Sequence, residues 1–364
     1  MESVTTSTPP GTDRITLRAP DQIIAALPYL LGFHPADSVV LLGHRIPGTS
    51  VGLILRADLP PRELLAEQAD SLVSRFLGEE HAGVTAVVIG GTPDDDGPPH
   101  ADFVTELARA LDDHGLRLFH PLWTARTAAG APWACYQDPD CGGVLPDPQG
   151  TVVAAATTRA GFVVYRDREE VAALLRPRSP RALVRRAALL ARSPAPLCDP
   201  EITTAPPEHA GRQMPHRVLL DLAAAEVRSA FFRHRARLGP PSDRQAVRLA
   251  HALSLKPIRD ACLATALPVG SPLAREAEQV WLSLVQELPA PHQAEAACLL
   301  TYATLLRGEG ALAGMAVATA LEADPSSLLA RLLHASWNTG IAPERLGGLA
   351  SLATGVDLGL AGES

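Results

Sequence analysis

The chain predicts an α/β N-terminal domain with a mixed sheet followed by an all-α helical-hairpin C-terminal domain. Three observations carry this expectation. Up to about residue 165, short β-rich runs alternate with segments of helical period. Beyond Ser179 almost every segment repeats its apolar residues at helical spacing. At 364 residues the chain is long enough for two cores, at about 100–200 residues per domain.

In chain order, residues 1–14 are polar and rich in Thr, Ser and Pro, and are expected to be disordered. Residues 21–31 read as a helix entered through Pro20 and ended by Gly32, with Pro28 shortening or kinking it and Pro35 preventing resumption. Residues 38–42 and 51–57 are strands joined through Pro47-Gly48, a hairpin that makes the sheet mixed. From Pro61 the period becomes helical: Leu64, Leu65, Ala69, Leu72, Val73 and Phe76 mark one face up to about Leu77. A buried strand at 85–89, a loop with Asp94-Asp95-Asp96, a helix at 101–114 and a strand at 116–122 continue the alternation. Residues 132–150 are turn-rich. A helix near 152–160, an extended run at 162–165 and a helix capped by Asp167 complete a domain drawn as residues 15–192.

Residues 193–212, rich in Pro and polar side chains, are the expected linker. Helices are expected at 213–238, 242–253, 257–266, 272–288, 292–306, 311–323 and 325–338, within a second domain of residues 213–352 and ahead of a frayed tail at 353–364. With Pro325 as a terminal proline, Leu300, Ala313, Val317 and Ala320 fit one degenerate tetratricopeptide unit. No second unit follows in register, which argues for helical hairpins rather than a solenoid.

Composition excludes several classes. No window approaches ~18 uninterrupted apolar residues, so no membrane span is expected. The N-terminal residues lack the basic and apolar regions of a secretory signal, and five cysteines make no disulfide scaffold, so the cytoplasm is the expected compartment. The net charge is −8, unevenly spread. Residues 176–259 hold 15 Arg and the only lysine, Lys256, against six acids, a net of +10 that leaves −18 for the remainder. Such asymmetry suits docking on an acidic surface, a protein partner or nucleic acid.

Four constellations could carry chemistry. His34, Asp37 and Ser38 fall in one tight loop. They include every residue type of a hydrolytic triad, but sequence neighbours rarely reach triad geometry, and no Gly-x-Ser-x-Gly elbow is present. A turn fixed by Pro35 and Asp37 is the simpler reading. Arg56 and Asp58 project from one face of a strand, able to pair with each other or to meet a polar ligand beyond the strand's carboxyl end, while Asp58 could instead cap the following helix. The loop of Trp133, Cys135, Tyr136 and Cys141 could hold a reversible disulfide, half a metal site or small apolar packing. His100, His114 and His120 do not supply a second ligand pair at zinc spacing, so no metal is expected. Asp138 and Asp140 would raise the thiol pKa values. Finally, residues 176–192 form an amphipathic helix with Arg181, Arg185 and Arg186 on the cationic side and Leu183, Val184, Ala187 and Leu190 on the apolar side. No Walker loop, Gly-x-Gly-x-x-Gly or nucleic-acid signature accompanies it, so no cofactor is expected.

The run Leu27-Pro28-Tyr29-Leu30-Leu31-Gly32-Phe33-His34-Pro35-Ala36-Asp37-Ser38, then Arg56-Ala57-Asp58-Leu59-Pro60, resembles the actinobacterial family known as domain of unknown function 4192. The Trp133 to Cys141 loop, Arg307-Gly308-Glu309-Gly310-Ala311-Leu312-Ala313 and Ala320-Leu321-Glu322-Ala323-Asp324-Pro325 extend the resemblance over nearly the whole chain. It implies a cytoplasmic protein with an α/β part and a helical part. The chain departs from the family in the cysteine loop: Cys141 is followed by Gly142-Gly143 rather than Pro, and Cys135 is displaced by one position.

Function is expected first as a non-enzymatic interaction or regulatory protein, with a protein partner met through the helical domain or the basic middle. The second expectation is a hydrolase or group transferase acting on a small polar substrate at the strand ends, through Asp37, Arg56, Asp58 and His34. Nucleic-acid binding through Arg181, Arg185, Arg186, Arg233, Arg235 and Arg237 ranks third.

Overall fold

The computed structural model describes residues 3–6, 17, 19–45, 51–77, 81–95, 97–192, 216–339, 343–352 and 356–360. The expected linker at 193–212 and the Pro47-Gly48 turn lie outside them. The chain divides into two compact units, one of residues 1–173 with 308–314 and 335–342, the other of residues 174–307 with 315–334 and 343–364.

The first unit is built on a seven-stranded mixed sheet of β1 (Ser3–Thr6), β2 (Ser38–Arg45), β3 (Val51–Asp58), β4 (His81–Ile89), β5 (Arg117–Thr124), β6 (Pro132–Cys135) and β7 (Gly142–Val144), in the order β1-β3-β2-β4-β5-β6-β7. Its helices are α1 (Pro20–Leu31), α2 (Leu65–Ser74), α3 (Ala101–Asp113), α4 (Val152–Arg159) and α5 (Arg168–Ala173). Strands β4 and β5, linked through α3, pair in parallel, and the other neighbours are antiparallel. The Val, Leu and Ile runs of β2, β3 and β4 are buried residue after residue, which requires both faces to be covered. Helices α2 and α3 pack on each other, as do α1 and α4. Phe76, just past α2, presses on Gly43, where a Cβ would collide with its ring.

Three local differences from the sequence reading have simple causes. Residues 3–6, expected to be disordered, form an edge strand that pairs Ser3 with Arg56 and Thr6 with Leu53, because β3 offers an open row of backbone groups. Helix α1 runs unbroken through Pro28, and Gly32 ends it at φ 80° with its N–H donating to Pro28 O. Within the turn-rich stretch, β6 and β7 form a hairpin on the edge of β5. Asp167 caps α5 as expected, accepting from the Glu170 N–H at 2.8 Å.

The second unit contains α6 (Pro180–Arg192), α7 (His216–Arg235), α8 (Asp243–Ser254), α9 (Lys256–Leu263), α10 (Pro272–Glu287), α11 (Gln293–Arg307) and the short α14 (Pro343–Leu346); α12 (Gly310–Ala323) and α13 (Leu328–Thr339) contribute residues to both units. Helix α11 is buried on every side from Ala294 to Leu306 and packs along α10, whose Trp281 meets Phe231 of α7 edge to face at 5.5 Å. A Ser242–Gln245 capping box opens α8. Beyond α14, residues 356–360 lie inside the expected frayed tail, yet Leu358 and Leu360 are buried and Arg228 donates to Leu358 O at 3.2 Å.

Helix α6 falls in the helical unit, beyond the division at Ala173, whereas the sequence reading ran the α/β domain on to residue 192. Its inward face also differs from expectation. Val184 is 71% exposed, whereas Arg186 is only 4% exposed. The reason is a buried polar network: Arg186 Nη1 donates to Glu287 Oε2 at 2.5 Å and to Glu287 O at 2.7 Å, Nη2 to Pro241 O at 2.8 Å, and Nε to Asp243 Oδ1 at 3.0 Å. Arg185 takes Asp243 from the solvent side with two donors, and holds its carboxyl below the usual carboxylate range.

Removing one member of a buried pair strands the other charge. Arg186→Met is therefore expected to lower the unfolding free energy in urea by about 3–5 kcal/mol, and adding Glu287→Leu should recover most of the loss. Equal losses in the single and double variants would show that the pair is not the source. Burial also lowers the pKa values of His251 and His292, which stack edge to face at 5.9 Å. The folded state then resists protons that the unfolded histidines accept, so their contribution is full above pH ~6.5 and is lost as the pH falls below it. The melting temperature of His251→Gln/His292→Gln should fall less steeply than wild type between about pH 7 and 5.

Candidate functional site

Register decides which side chains meet at the sheet's edge. Ser38 pairs opposite both Asp58 and Ile89, Val40 opposite Arg56, and Ile89 opposite Thr124. Side chains alternate along strands, so Ser38, Arg56, Asp58 and Thr124 share one face. Strand β2 begins where β3, β4 and β5 end. The loop before β2, which carries His34 and Asp37, therefore lies at the carboxyl ends of three strands, the usual place for a ligand in such sheets.

This loop is held in detail. Phe33 bridges in parallel to Tyr165, with the His34 N–H donating to Tyr165 O at 3.2 Å and the Tyr165 N–H to Gly32 O at 2.8 Å. His34 Nδ1 lies 3.2 Å from both Thr127 O and Thr127 Oγ1. These two contacts orient the ring from its Nδ1 side. Asp37 adopts φ 45°, and its carbonyl accepts from the Leu59 N–H at 3.3 Å. Gly90, at φ 112°, lies so close that a Cβ there would meet Asp37 Oδ1 at 2.6 Å.

Arg56 is the centre of the cluster and is 5% exposed. Its Nη1 stands 2.5 Å from Asp58 Oδ1 and its Nη2 donates to Ala36 O at 3.2 Å. That does not satisfy the guanidinium. Nε has no hydrogen-bond partner among the described residues, and Nη1 is held by Asp58 alone. The Ser38 hydroxyl, fully buried, and Arg168 Nε are likewise unpartnered. Burial lowers the pKa of Arg56; Asp58 opposes the shift, Arg168 reinforces it, and Asp37 opposes it more weakly. Arg56, Ser38 and the nearby Arg168 thus give the strand ends more buried donors than the exposed Asp58 carboxylate and the Ala36 carbonyl answer among the described residues.

Of the other expected site residues, Trp133 stays at this carboxyl edge, whereas Tyr136 and the cysteines lie farther back along β5. Asp58 caps no helix; the turn after it starts at Pro61 without a side-chain cap. Trp133 pairs with Thr124 at the carboxyl edge, but β6 runs back from there, so the Tyr136 N–H bonds Pro121 O, three residues back along β5, at 3.0 Å. The Tyr136 hydroxyl donates to Pro99 O at 2.5 Å. Cys135 at the end of β6 and Cys141 just before β7 are free thiols, joined by a backbone bond in which Cys135 N–H donates to Cys141 O. Burial, then Cys135 and then Asp138, push the Cys141 thiol up. Arg181 is exposed, while Arg185 and Arg186 are occupied by Asp243 and Glu287. No group of three His, Cys, Asp or Glu among the described residues is placed to hold a metal ion, and no helix among them is long and apolar enough to cross a membrane.

Arg168, Thr127 and Gly90 carry no sequence signal of their own, because each reaches the cluster through tertiary structure. The extended run at 162–165 hinted at the first, since it latches to Gly32 and delivers the start of α5 beside β3. A buried hydroxyl without a partner destabilises a fold, so Ser38→Ala is expected to leave stability unchanged or raise it by up to about 1 kcal/mol in thermal or urea unfolding. A loss greater than about 1 kcal/mol would mean that the hydroxyl is satisfied.

No curated protein and no solved structure matches the chain. The family model described as Domain of unknown function (DUF4192) matches residues 20–344. That span contains the His34 loop, the Arg56 and Asp58 strand and most of the helical part, and the chain belongs to this family.

Proposed function

We propose that this is a non-enzymatic regulatory protein whose α/β unit binds a small oxyanion, a phosphate or carboxylate group, at the carboxyl ends of β3, β4 and β5. The observation that carries the reading is the buried, incompletely satisfied guanidinium of Arg56 beside the unpartnered Ser38 hydroxyl. Buried polar groups are normally paired, and donors left over at a strand end suit an acceptor that arrives from solution. Arginine's planar fork matches an oxyanion in two-point contact.

Asp58 gives the site its control. Its side chain is 58% exposed while the Arg56 side chain is 6% exposed, so the carboxylate approaches the guanidinium from solvent and stands in for the ligand. Because Asp58 reaches the pair from the solvent side, an incoming anion can displace it and keep the guanidinium paired. Binding is favoured over catalysis because no nucleophile faces a base. The Ser38 hydroxyl is buried without a partner, and His34 is turned onto Thr127.

Calorimetric titration with inorganic phosphate tests the reading, with acetate as the carboxylate arm. A dissociation constant on the order of 1 mM is expected. Arg56→Gln should abolish binding, whereas Asp58→Asn should tighten it about fivefold by removing the internal competitor. Asp58→Asn should also lower the melting temperature of the free protein, with phosphate restoring part of the loss. Absence of binding, or equal affinity in Arg56→Gln and wild type, would refute the site.

A further inference from the structure

The helical unit contains a second feature that the α/β site does not explain: a cavity of about 360 Å³ between α7, α8 and α10, lined in part by Arg178, Arg233, His234 and Arg237. The size lies within the roughly 300–1,000 Å³ range of small-ligand sites. Its walls are of two kinds. Ala230, Leu249, Val280 and Leu284 supply apolar surface, while the far side is formed by the end of α7.

The charge at that end is not neutralised. Arg233 Nη2 donates to the carbonyls of Leu238, Gly239 and Pro240 at 3.4, 3.3 and 2.9 Å, contacts that fix the guanidinium without cancelling its charge. Arg237, held at φ 51° where the chain leaves the helix, has no carboxylate at ion-pair distance among the described residues, and neither has Arg233. The one acid in the lining, Glu226, is already engaged by Arg248 Nε at 2.6 Å. Arg235, read from the sequence as part of the same basic cluster, points elsewhere and pairs with Glu276 at 2.8 Å. The three arginines thus divide into one that stabilises the bundle and two that leave positive charge on a cavity wall.

We infer that this cavity binds a small organic anion, with its carboxylate or phosphate head on Arg233 and Arg237 and an apolar body against Leu249, Val280 and Leu284. An uncharged molecule of the same shape would bring no counter-charge to the two guanidinium groups, and inorganic phosphate would leave the apolar wall uncovered. The site is separate in chemistry from the strand-end site, which offers its donors to a bare oxyanion.

Titration of the full-length protein with benzoate, phenyl phosphate and benzyl alcohol, followed by calorimetry and by chemical shifts of the Val and Leu methyl groups, tests the inference. At least one of the two anions should bind with a dissociation constant on the order of 1 mM, shifting the methyl groups of Leu249 and Val280, and benzyl alcohol should bind at least about tenfold more weakly. The stronger anion identifies the head group. Arg237→Ser, in an exposed residue with no bond from its side chain among the described residues, and Arg233→Gln should each weaken the binding read at the Leu249 and Val280 methyl groups about tenfold. Equal binding of all three probes, no binding of either anion at about 10 mM, or full affinity in Arg237→Ser would overturn the assignment. Binding of an anion that leaves the Leu249 and Val280 methyl groups unshifted would also overturn it, placing the anion outside this cavity.

Discussion

A guanidinium buried in a sheet must be answered by acceptors, and the arrangement around Arg56 follows from how incompletely this one is answered. Its side chain is buried, so the desolvated guanidinium depends on the acceptors that the fold brings to it. The loop before β2 brings a carbonyl from Ala36, and β3 itself brings the carboxylate of Asp58 two residues on. Latching of that loop to Tyr165 brings Arg168 close enough to lower the pKa of Arg56 further. The result is an edge with more donors than acceptors, in a protein whose net charge is negative.

Arg186 is the contrasting case within the same chain. It is as deeply buried, yet each of its terminal nitrogens and Nε meets an oxygen of Glu287, Pro241 or Asp243. A complete network of that kind holds helices together and leaves nothing for a ligand. Two buried arginines of one protein therefore divide by satisfaction rather than by burial: the satisfied one fastens α6 to α8 and α10, and the incompletely satisfied one carries the proposed oxyanion site.

Much of this architecture was legible in the amino-acid order because the period of the apolar residues changes so cleanly, from the Val-Val-Leu-Leu of β2 to the spaced leucines of α2 and on through the helical part. The strand-end location of Arg56 and Asp58 could be read in the same way, since residues two apart on a strand share a face. What could not be read depends on partners distant in sequence. Arg186 looked like one more surface arginine, because its burial is decided by Glu287 and Asp243, 101 and 57 residues away. The direction of the β6–β7 hairpin, which carries Tyr136 and Cys141 away from the cluster, is set by pairing with β5 and not by its own composition. The N-terminal strand is only four residues long, set in a polar stretch, and owes its place to the open edge of β3.

The most direct test is a crystal structure of the protein grown in inorganic phosphate and compared with one grown without it. The account predicts phosphate oxygens within about 3 Å of Arg56 Nε and of the Ser38 hydroxyl, with the Asp58 carboxylate swung out into solvent. Asp58 still seated on Arg56, with no anion at the strand ends at saturating phosphate, would contradict it.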